Sequence, residues 1–572
     1  MKADKEHITK GVDLKFAIMC DGYSLQHWQY EIIRSLQKHG IELTLVILND
    51  NDEPRTPFFR KILRYKYRYL LFNLYNRFIL RPKSKRAIDI SAEIQEIEAI
   101  SCKTNNHGYS QYFENDDIEK IKAKELDFVL RFGFNIIRGD ILESARYGIW
   151  SFHHDDEQKY RGTGSVYKEI LYNDPVNGAI LQRLTNRIDA GVILKKGYFQ
   201  TVKHSLKGSF DNVLYNTVSW PLQVCIDIQN GVAGYIEDEP STSAAPIKKT
   251  EGNFNTFRLL CKLFFNKLKF HYKELFFTER WIVGVSDEKI ESIYENGNLA
   301  NVTWLEAGKR YRYFADPFTI DFDETRLLLF FEDYNYKTRK GIISSSFYNK
   351  TTQEFSPVVE VLEKPHHLSF PYIFNHEGNW YLMPESSENK ELSVYRIEKD
   401  GSLSFYKELL KIDAIDTSLF QYNDIWWLFF TRKHNSNSEL HAYYSKDIWG
   451  PYEPHKNNPV KTDIRSARPA GSLFYVESDL IRPSQNSAKY YGSRIEFNKI
   501  SKLDSIIFEE ERTQIIEPSY SRTFNRGIHT ICSAGNYTVI DQKKHTFIFQ
   551  SFKYQLKRKF KALFTRSSLQ PK

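Results

Sequence analysis

Apolar and polar positions give the chain two different rhythms. Residues 14–50 hold an apolar run, LKFAIMCD, then an amphipathic stretch, SLQHWQYEIIRSLQKHG, then a second apolar run, IELTLVILND. Short continuous apolar runs fit strands buried on both faces, and the 3.6-residue period between them predicts a helix. Gly40 stands where a helix ends in a left-handed residue. Strand, helix, strand opens an α/β unit with a parallel sheet. The pattern returns up to residue 235, with Val213 to Asn230 as a closing helix. Residues 236–252, IEDEPSTSAAPIKKTEG, read as a linker by composition. Beyond residue 280 the rhythm shortens to Phe-, Tyr- and Trp-rich runs such as TRLLLFFEDYN, GNWYLMPESSE and DIWWLFFTRKH. Each follows a strand with a polar or Pro head: ADPFTIDF, SFPYIFNHEG, DTSLFQYND, ARPAGSLFYV and IHTICSAGN. Five such heads predict an all-β five-bladed propeller over 281–545.

A chain of 572 residues is too long for one core. At 41% hydrophobic and 27% charged it has an ordinary globular composition, and 15% aromatics suit the β-rich half. No apolar run approaches the roughly 20 residues that span a bilayer. The N-terminus lacks a signal-peptide core. Five scattered cysteines without a CxxC pair read as free thiols in a reducing, cytoplasmic compartment, with no structural zinc and no metal site.

The formal net charge of +8 is unevenly spread. Three segments interleave basic and aromatic residues: the insert 55–86, the stretch FRLLCKLFFNKLKFHYKELFF within 236–280, and the tail 546–572. Each can form an amphipathic helix that lies on an anionic membrane surface, which would make the protein peripheral on the inner face of a membrane. The alternative is packing of the apolar faces on the domains. Nucleic acid is a weaker partner, because no binding motif accompanies the basic patches.

Residues 148–162, GIWSFHHDDEQKYRG, resemble the active-site strand and loop of the folate-dependent formyltransferase family, whose members act on methionyl-tRNA, sugars and glycinamide ribonucleotide. Residues 178–193, GAILQRLTNRIDAGVI, resemble the family's next strand and its Asp-x-Gly-x-Ile turn. LDFVLRFGFNIIRGDIL is similar to its pterin-holding strand and loop. The resemblance implies a Rossmann-like α/β domain over 12–235. It also implies 10-formyltetrahydrofolate as donor, held by Arg131, Phe132, Gly133, Phe134 and Ile136. His153 takes the place of the catalytic His and Asp189 that of the Asp orienting it, while Arg161 fixes the loop or meets substrate. Ser151 occupies the position of the family's Asn, an oxyanion donor. A lost oxyanion donor costs about 3–4 kcal/mol. Either Ser151 donates, or it only fills space and His154 or Gln182 substitutes. Asp155 and Asp156 make the loop more polar than the family norm, which fits a cationic amino-sugar acceptor or solvent exposure.

The second half is similar to the propellers of certain glycoside hydrolases, and more so to the N-terminal domain of plant glucosamine inositolphosphorylceramide transferases. HLSFPYIFNHEGNWYLMPESSEN, LHAYYSKDIWGPYEPHKNNPV and RSARPAGSLF carry this resemblance. It implies a central site with acids at Asp316, Glu385 and Asp416. Arg465, Arg468 and Arg482 suit an anionic ligand, because the guanidinium fork matches phosphate and carboxylate oxygens; His529 is placed nearby. The alternative is that these Arg residues form ion pairs tying blades together.

Taken together, these features lead to the expectation of a formyltransferase acting on the amino group of a nucleotide- or lipid-linked sugar in surface-glycan synthesis. Two rivals stand beside it: a glycosidase or glycosyltransferase acting through the propeller, and a noncatalytic glycan- or membrane-binding protein.

Overall fold

The structure, a computed structural model, describes residues 13–51, 67–108, 110–162, 165–187, 190–248, 252–518, 521 and 523–567. It divides into two compact units, Met1–Lys267 and Leu268–Lys572.

The first unit is built on a seven-stranded sheet. Its order is Val192–Gln200, Val176–Arg183, Ile149–His153, Phe128–Arg131, Lys15–Cys20, Glu42–Asn49 and Glu98–Cys102. The last five run parallel, and the first two join as an antiparallel extension. The strand Lys15–Cys20 is buried on both faces, as its unbroken apolar run requires. Phe16, Phe128 and Trp150 stack in series on one face, with ring centroids 5.4 and 4.0 Å apart. Ala17, Met19, Val129 and Ile149 fill the other. The helix His27–Lys38 lays Trp28, Ile32, Ile33 and Leu36 on the sheet.

Instead of one closing helix over 213–230, two are found, Leu206–Asn216 and Trp220–Gln229. Ser205 caps the first by accepting from Gly208 N at 3.0 Å. Pro221 sits in the first turn of the second, where its missing N–H is harmless, so the chain restarts there rather than continuing. The stretch expected as a linker folds back on the unit: Ile247–Lys248 pairs in parallel with Arg161–Gly162, and Ser241 N donates to Gly191 O at 3.0 Å.

The basic insert is described from Tyr67 onward as short helical turns, Tyr67–Tyr69, Leu70–Leu74 and Tyr75–Ile79. The other two basic segments form the helices Asn253–Phe276 and Phe549–Ser567. No described helix is long and apolar enough to cross a membrane.

Among the described residues, the second unit contains five antiparallel sheets of four or five strands. Four are built from consecutive strands: those beginning at Arg312–Asp321, Ser369–His376, Ala414–Tyr422 and Phe474–Val476. The fifth joins both ends of the unit, pairing Thr278–Ser286 antiparallel with Tyr537–Thr546 along its whole length. Each polar head recognised in the sequence lies in, or leads into, the first strand of a sheet or, for IHTICSAGN, the edge strand Ile531–Ala534 of the joining sheet.

Candidate functional site

Three of the heads share one backbone device. Register slips between Ala315 and Phe318, between Ser369 and Tyr372, and between Ile415 and Ser418. At each slip one residue adopts a left-handed conformation: Asp316 (φ 51°), Phe370 (φ 42°) and Asp416 (φ 50°). A side chain other than glycine is held there at a cost of about 1–3 kcal/mol. Such a bulge re-aims the side chain it carries. Here it turns two carboxylates into the interior of the unit, with Asp316 and Asp416 both buried.

Asp316 belongs to a relay that closes on the last strand. His529 places Nδ1 2.5 Å from Asp541 Oδ2 and Nε2 3.4 Å from Asp316 Oδ1. Asp541 Oδ2 also accepts from Asp316 N at 3.1 Å, and its Oδ1 accepts from His529 N and Thr530 N. Thr530 Oγ1 donates to Asp316 Oδ1 at 2.8 Å. Trp281 stacks on the imidazole at 3.9 Å, and the Tyr491 ring meets its edge. Burial alone would lower the His529 pKa, but Asp541 and Asp316 outweigh it and raise it. Burial pushes Asp316 up to about 6 against the pull of His529. Ligand-type atoms of Asp316, His529 and Asp541 lie within 4.8 Å of one another. The two carboxylates accept from the backbone and from Thr530, while His529 stands between them with its Nδ1 making no well-formed hydrogen bond, an arrangement that can pass a proton.

Asp416 anchors a second group. Its Oδ2 accepts from Arg468 Nε and Gln485 Nε2, each at 2.6 Å. Arg468 also lies 5.0 Å over the Tyr491 ring, and Asp416 outweighs burial to raise its pKa. The middle head carries no acid at its bulge. Its carboxylate comes from the next strand: Glu385 pairs in register with Ser369, which donates to Glu385 Oε2 at 3.3 Å. Ser387 Oγ donates to the other oxygen at 2.7 Å. Burial, then the neighbouring Asp416, push Glu385 up to about 8, so it carries a proton at neutral pH. Burial holds Glu332 well above the usual carboxylate range, helped by Asp316 and Glu385. The site therefore combines a protonated acid, a buried His529–Asp316 pair whose pKa values are both raised, and a fixed ion pair. These are the components of acid–base chemistry and of sugar-hydroxyl recognition.

The other arginines lie elsewhere in their bonding. Arg482 is buried; its Nε and Nη2 bind Glu510, at 2.8 and 2.5 Å, and Nη2 also binds Ser466 O, while Nη1 makes no hydrogen bond among the described residues. Arg465 forks onto Asp463 two residues away. Sequence reasoning missed Asp541, Glu332, Trp281 and Tyr491. A charged residue inside an otherwise buried strand, as in YTVIDQKK, was the available signal for Asp541.

In the first unit the motif residues meet other partners. Ser151 is buried and accepts from Arg131 Nη2 at 2.8 Å and Nε at 3.2 Å. Arg131 fills the space beside this short side chain, and its Nη1 binds Phe134 O and Asn135 O. His153 Nε2 lies 3.4 Å from Tyr160 O and 3.9 Å from Asp155 Oδ2. Asp189 lies outside the described residues. Gln182 Oε1 accepts from Gly191 N at 3.3 Å. His154 packs between Trp28 and Phe152, and burial drives its pKa to about 3. Arg161 Nη1 binds Ser243 O at 3.2 Å, tying the loop to the returning chain.

The acidic loop is not exposed. Asp155 is fully buried and pairs with the equally buried Lys168 at 3.1 Å. Asp156 and Glu157 are buried against Lys196, at 3.3 and 2.8 Å. The loop presses onto the sheet so closely that a Cβ at Gly178 would meet Asp156 Cα at 2.7 Å. Lysines from a helix and a strand neutralise the loop's charge, which sequence-local reading assigned to solvent or to an amino sugar.

The loop expected to hold a pterin is similarly committed. Phe132 N and Gly133 N both donate to Met19 O at 2.8 Å, and Phe134 N donates to Asp21 Oδ1 at 2.9 Å. Asn135 N donates to Gln111 Oε1 at 2.6 Å, while Ile136 is exposed. These backbone donors are engaged within the unit.

Residues 293–528 match the family model described as glucosamine inositolphosphorylceramide transferase 1, N-terminal. Over 225 residues the chain is 38% identical to glucosamine inositolphosphorylceramide transferase 1 of Oryza sativa subsp. japonica, covering 38% of this chain and 30% of that protein. Over 126 residues it is 25% identical to methionyl-tRNA formyltransferase of Borrelia duttonii (strain Ly), covering 22% of this chain and 41% of that protein. Zg3597, a family 117 glycoside hydrolase of Zobellia galactanivorans, superposes with a TM-score of 0.31 at 12% identity over 47% of this chain and 91% of its own. The chain spans about three tenths of the length of the plant relative. The expected formyl transfer is overturned by these matches: the family model and the rice relative are, by their names, sugar transferases. The formyltransferase likeness remains as a likeness of sequence. The matched stretch 293–528 contains Asp316, Glu385, Asp416 and Arg468, and ends one residue before His529.

Proposed function

We propose that the protein is a glycan-processing enzyme of the sugar-transferring class. In this reading the five sheets of the second unit are the blades of a five-bladed propeller, and their heads form the sugar site. The observation that carries the reading is the convergence of Asp316, Glu385 and Asp416 with Arg468, inside the stretch that matches the transferase family. Sugar transfer needs a base for the attacking hydroxyl and a proton or positive charge for the departing oxygen. The Asp316–His529–Asp541 relay supplies the first, and protonated Glu385 and Arg468 supply the second. Tyr491 packs against both Arg468 and His529 and so ties the two groups of the site together. The glycan is an amino sugar or a phosphate-bearing acceptor, matched to this mixture of acids and one paired Arg.

The test is binding and turnover with glucosamine- and inositol-phosphate-containing glycans plus an activated sugar donor. Glu385→Gln and Asp416→Asn are expected to lower activity about 100-fold or more, and His153→Ala to leave it unchanged. Loss of activity in His153→Ala with retention in Glu385→Gln would sink the proposal. Binding without turnover in the parent protein would assign the unit to glycan recognition alone.

A further inference from the structure

The basic aromatic helices take no part in the site. One side of Phe549–Ser567 is packed: Phe552 lies 5.5 Å from Phe276, Arg339 sits 3.4 Å from the Tyr554 ring centre, and Arg558 and Lys559 bind Glu274. The opposite side faces solvent. Phe549, Lys553, Leu556, Lys557 and Phe560 are all exposed, and steps of four, three, one and three residues put them on one helix face. Phe549 is 62% exposed and Phe560 53%. On the adjoining end of Asn253–Phe276, Leu268, Phe270 and Tyr272 are exposed as well. Residues 268–277 and 547–561 hold seven Lys or Arg and a single acid, Glu274, which Arg558 and Lys559 already neutralise.

An ordinary surface helix buries its apolar stripe; here the stripe points outward with lysines set between its rings. Protein–protein interface centres are depleted in Lys, and a nucleic-acid surface has no use for a row of protruding phenylalanines without free bases to stack. A bilayer accommodates both. Phenylalanine and leucine enter the headgroup–acyl boundary while lysine stems extend to lipid phosphates. We infer that the outward face of Phe549–Ser567, with the adjoining residues 268–273, docks on the surface of an anionic lipid bilayer. This inference is independent of the sugar-transfer reading.

The experiment is co-sedimentation of the full chain with vesicles of phosphatidylcholine alone or mixed with phosphatidylserine. Binding is expected to phosphatidylserine vesicles and to fall as salt rises. Phe549→Ser with Phe560→Ser should weaken it about tenfold or more, and Lys553→Glu with Lys557→Glu should remove the preference for anionic lipid. The substituted side chains are exposed, so circular dichroism and thermal midpoint should match the parent. No binding to anionic vesicles, equal binding to neutral ones, or variants indistinguishable from the parent would overturn the inference. A dimer in sedimentation velocity that Phe560→Ser dissociates, with no vesicle binding, would assign the face to a second copy and overturn it too.

Discussion

The two units carry their chemistry in opposite ways. In the first, a motif is laid out at the spacing of a formyltransferase, yet several of its polar groups are occupied by internal partners: Ser151 by Arg131, Asp155 by Lys168, and the loop amides by Met19 and Asp21. In the second, no single local motif announces a reaction, yet Asp316, Glu385, Glu332 and His529 are all displaced from their ordinary protonation behaviour. Motif spacing reports how a chain folds, because strands and turns set it. Reactivity depends on whether the groups brought together still have bonds to make and protons to move.

The largest effect that would break this contrast concerns the acidic loop. Asp155→Ala strands Lys168 without its partner in a fully buried place, and should destabilise the first unit by about 3–5 kcal/mol. Asp155→Leu with Lys168→Met should recover most of that loss, since a buried pair exchanged for apolar side chains of similar size is often neutral. Urea denaturation of the two variants decides it. A single substitution with no effect would mean that the loop is open and available to a ligand, and the two units would no longer differ.

The next effect lies in the second unit and depends on pH. Glu385 binds its proton more tightly folded, at about 8, than unfolded, near 4.5. Its contribution is therefore fully present below the unfolded value and is lost as pH rises toward about 8. Glu385→Gln should flatten that decline and leave the variant more stable than the parent above pH ~8, by roughly 2–3 kcal/mol. Denaturant midpoints across this range test it. A parent whose stability does not fall over the window would show that Glu385 is not held protonated, and the proposed acid would be lost with it.

How far these features could be read from sequence follows the distance between partners. The strands Lys15–Cys20 and Glu42–Asn49 lie in unbroken apolar runs, and Gly40 leaves the helix at positive φ. The heads ADPF, SFPY and IDTS mark three first strands because Pro and polar residues stand where the register slips. The burial of Asp155 depends on Lys168, 13 residues away across a loop and a helix turn. The bond from Asp316 to Asp541 spans 225 residues and exists only because the final strand returns to pair with Thr278–Ser286. No local period encodes such a meeting. Ser151 was legible as a departure from a family pattern, but the residue that filled the resulting space, Arg131, stood in a segment assigned to another task.

That exchange supplies the smallest and sharpest test. Ser151→Ala removes the oxygen that accepts two bonds from Arg131, while Arg131 keeps Phe134 O and Asn135 O. Burial already disfavours the Arg131 charge, which Asp21 partly supports, so a lost acceptor is felt. A loss of about 1–2 kcal/mol in a denaturant titration is expected, with sugar transfer unchanged. Ser151→Asn restores the family residue but adds bulk to a buried position, so it should be at least as destabilising and should confer no affinity for formyl-folate. If instead Ser151→Ala left stability untouched, the hydroxyl would be available to a ligand rather than committed to Arg131. The first unit would then hold a competent site after all, and its contrast with the second would fail at the residue where the two readings part.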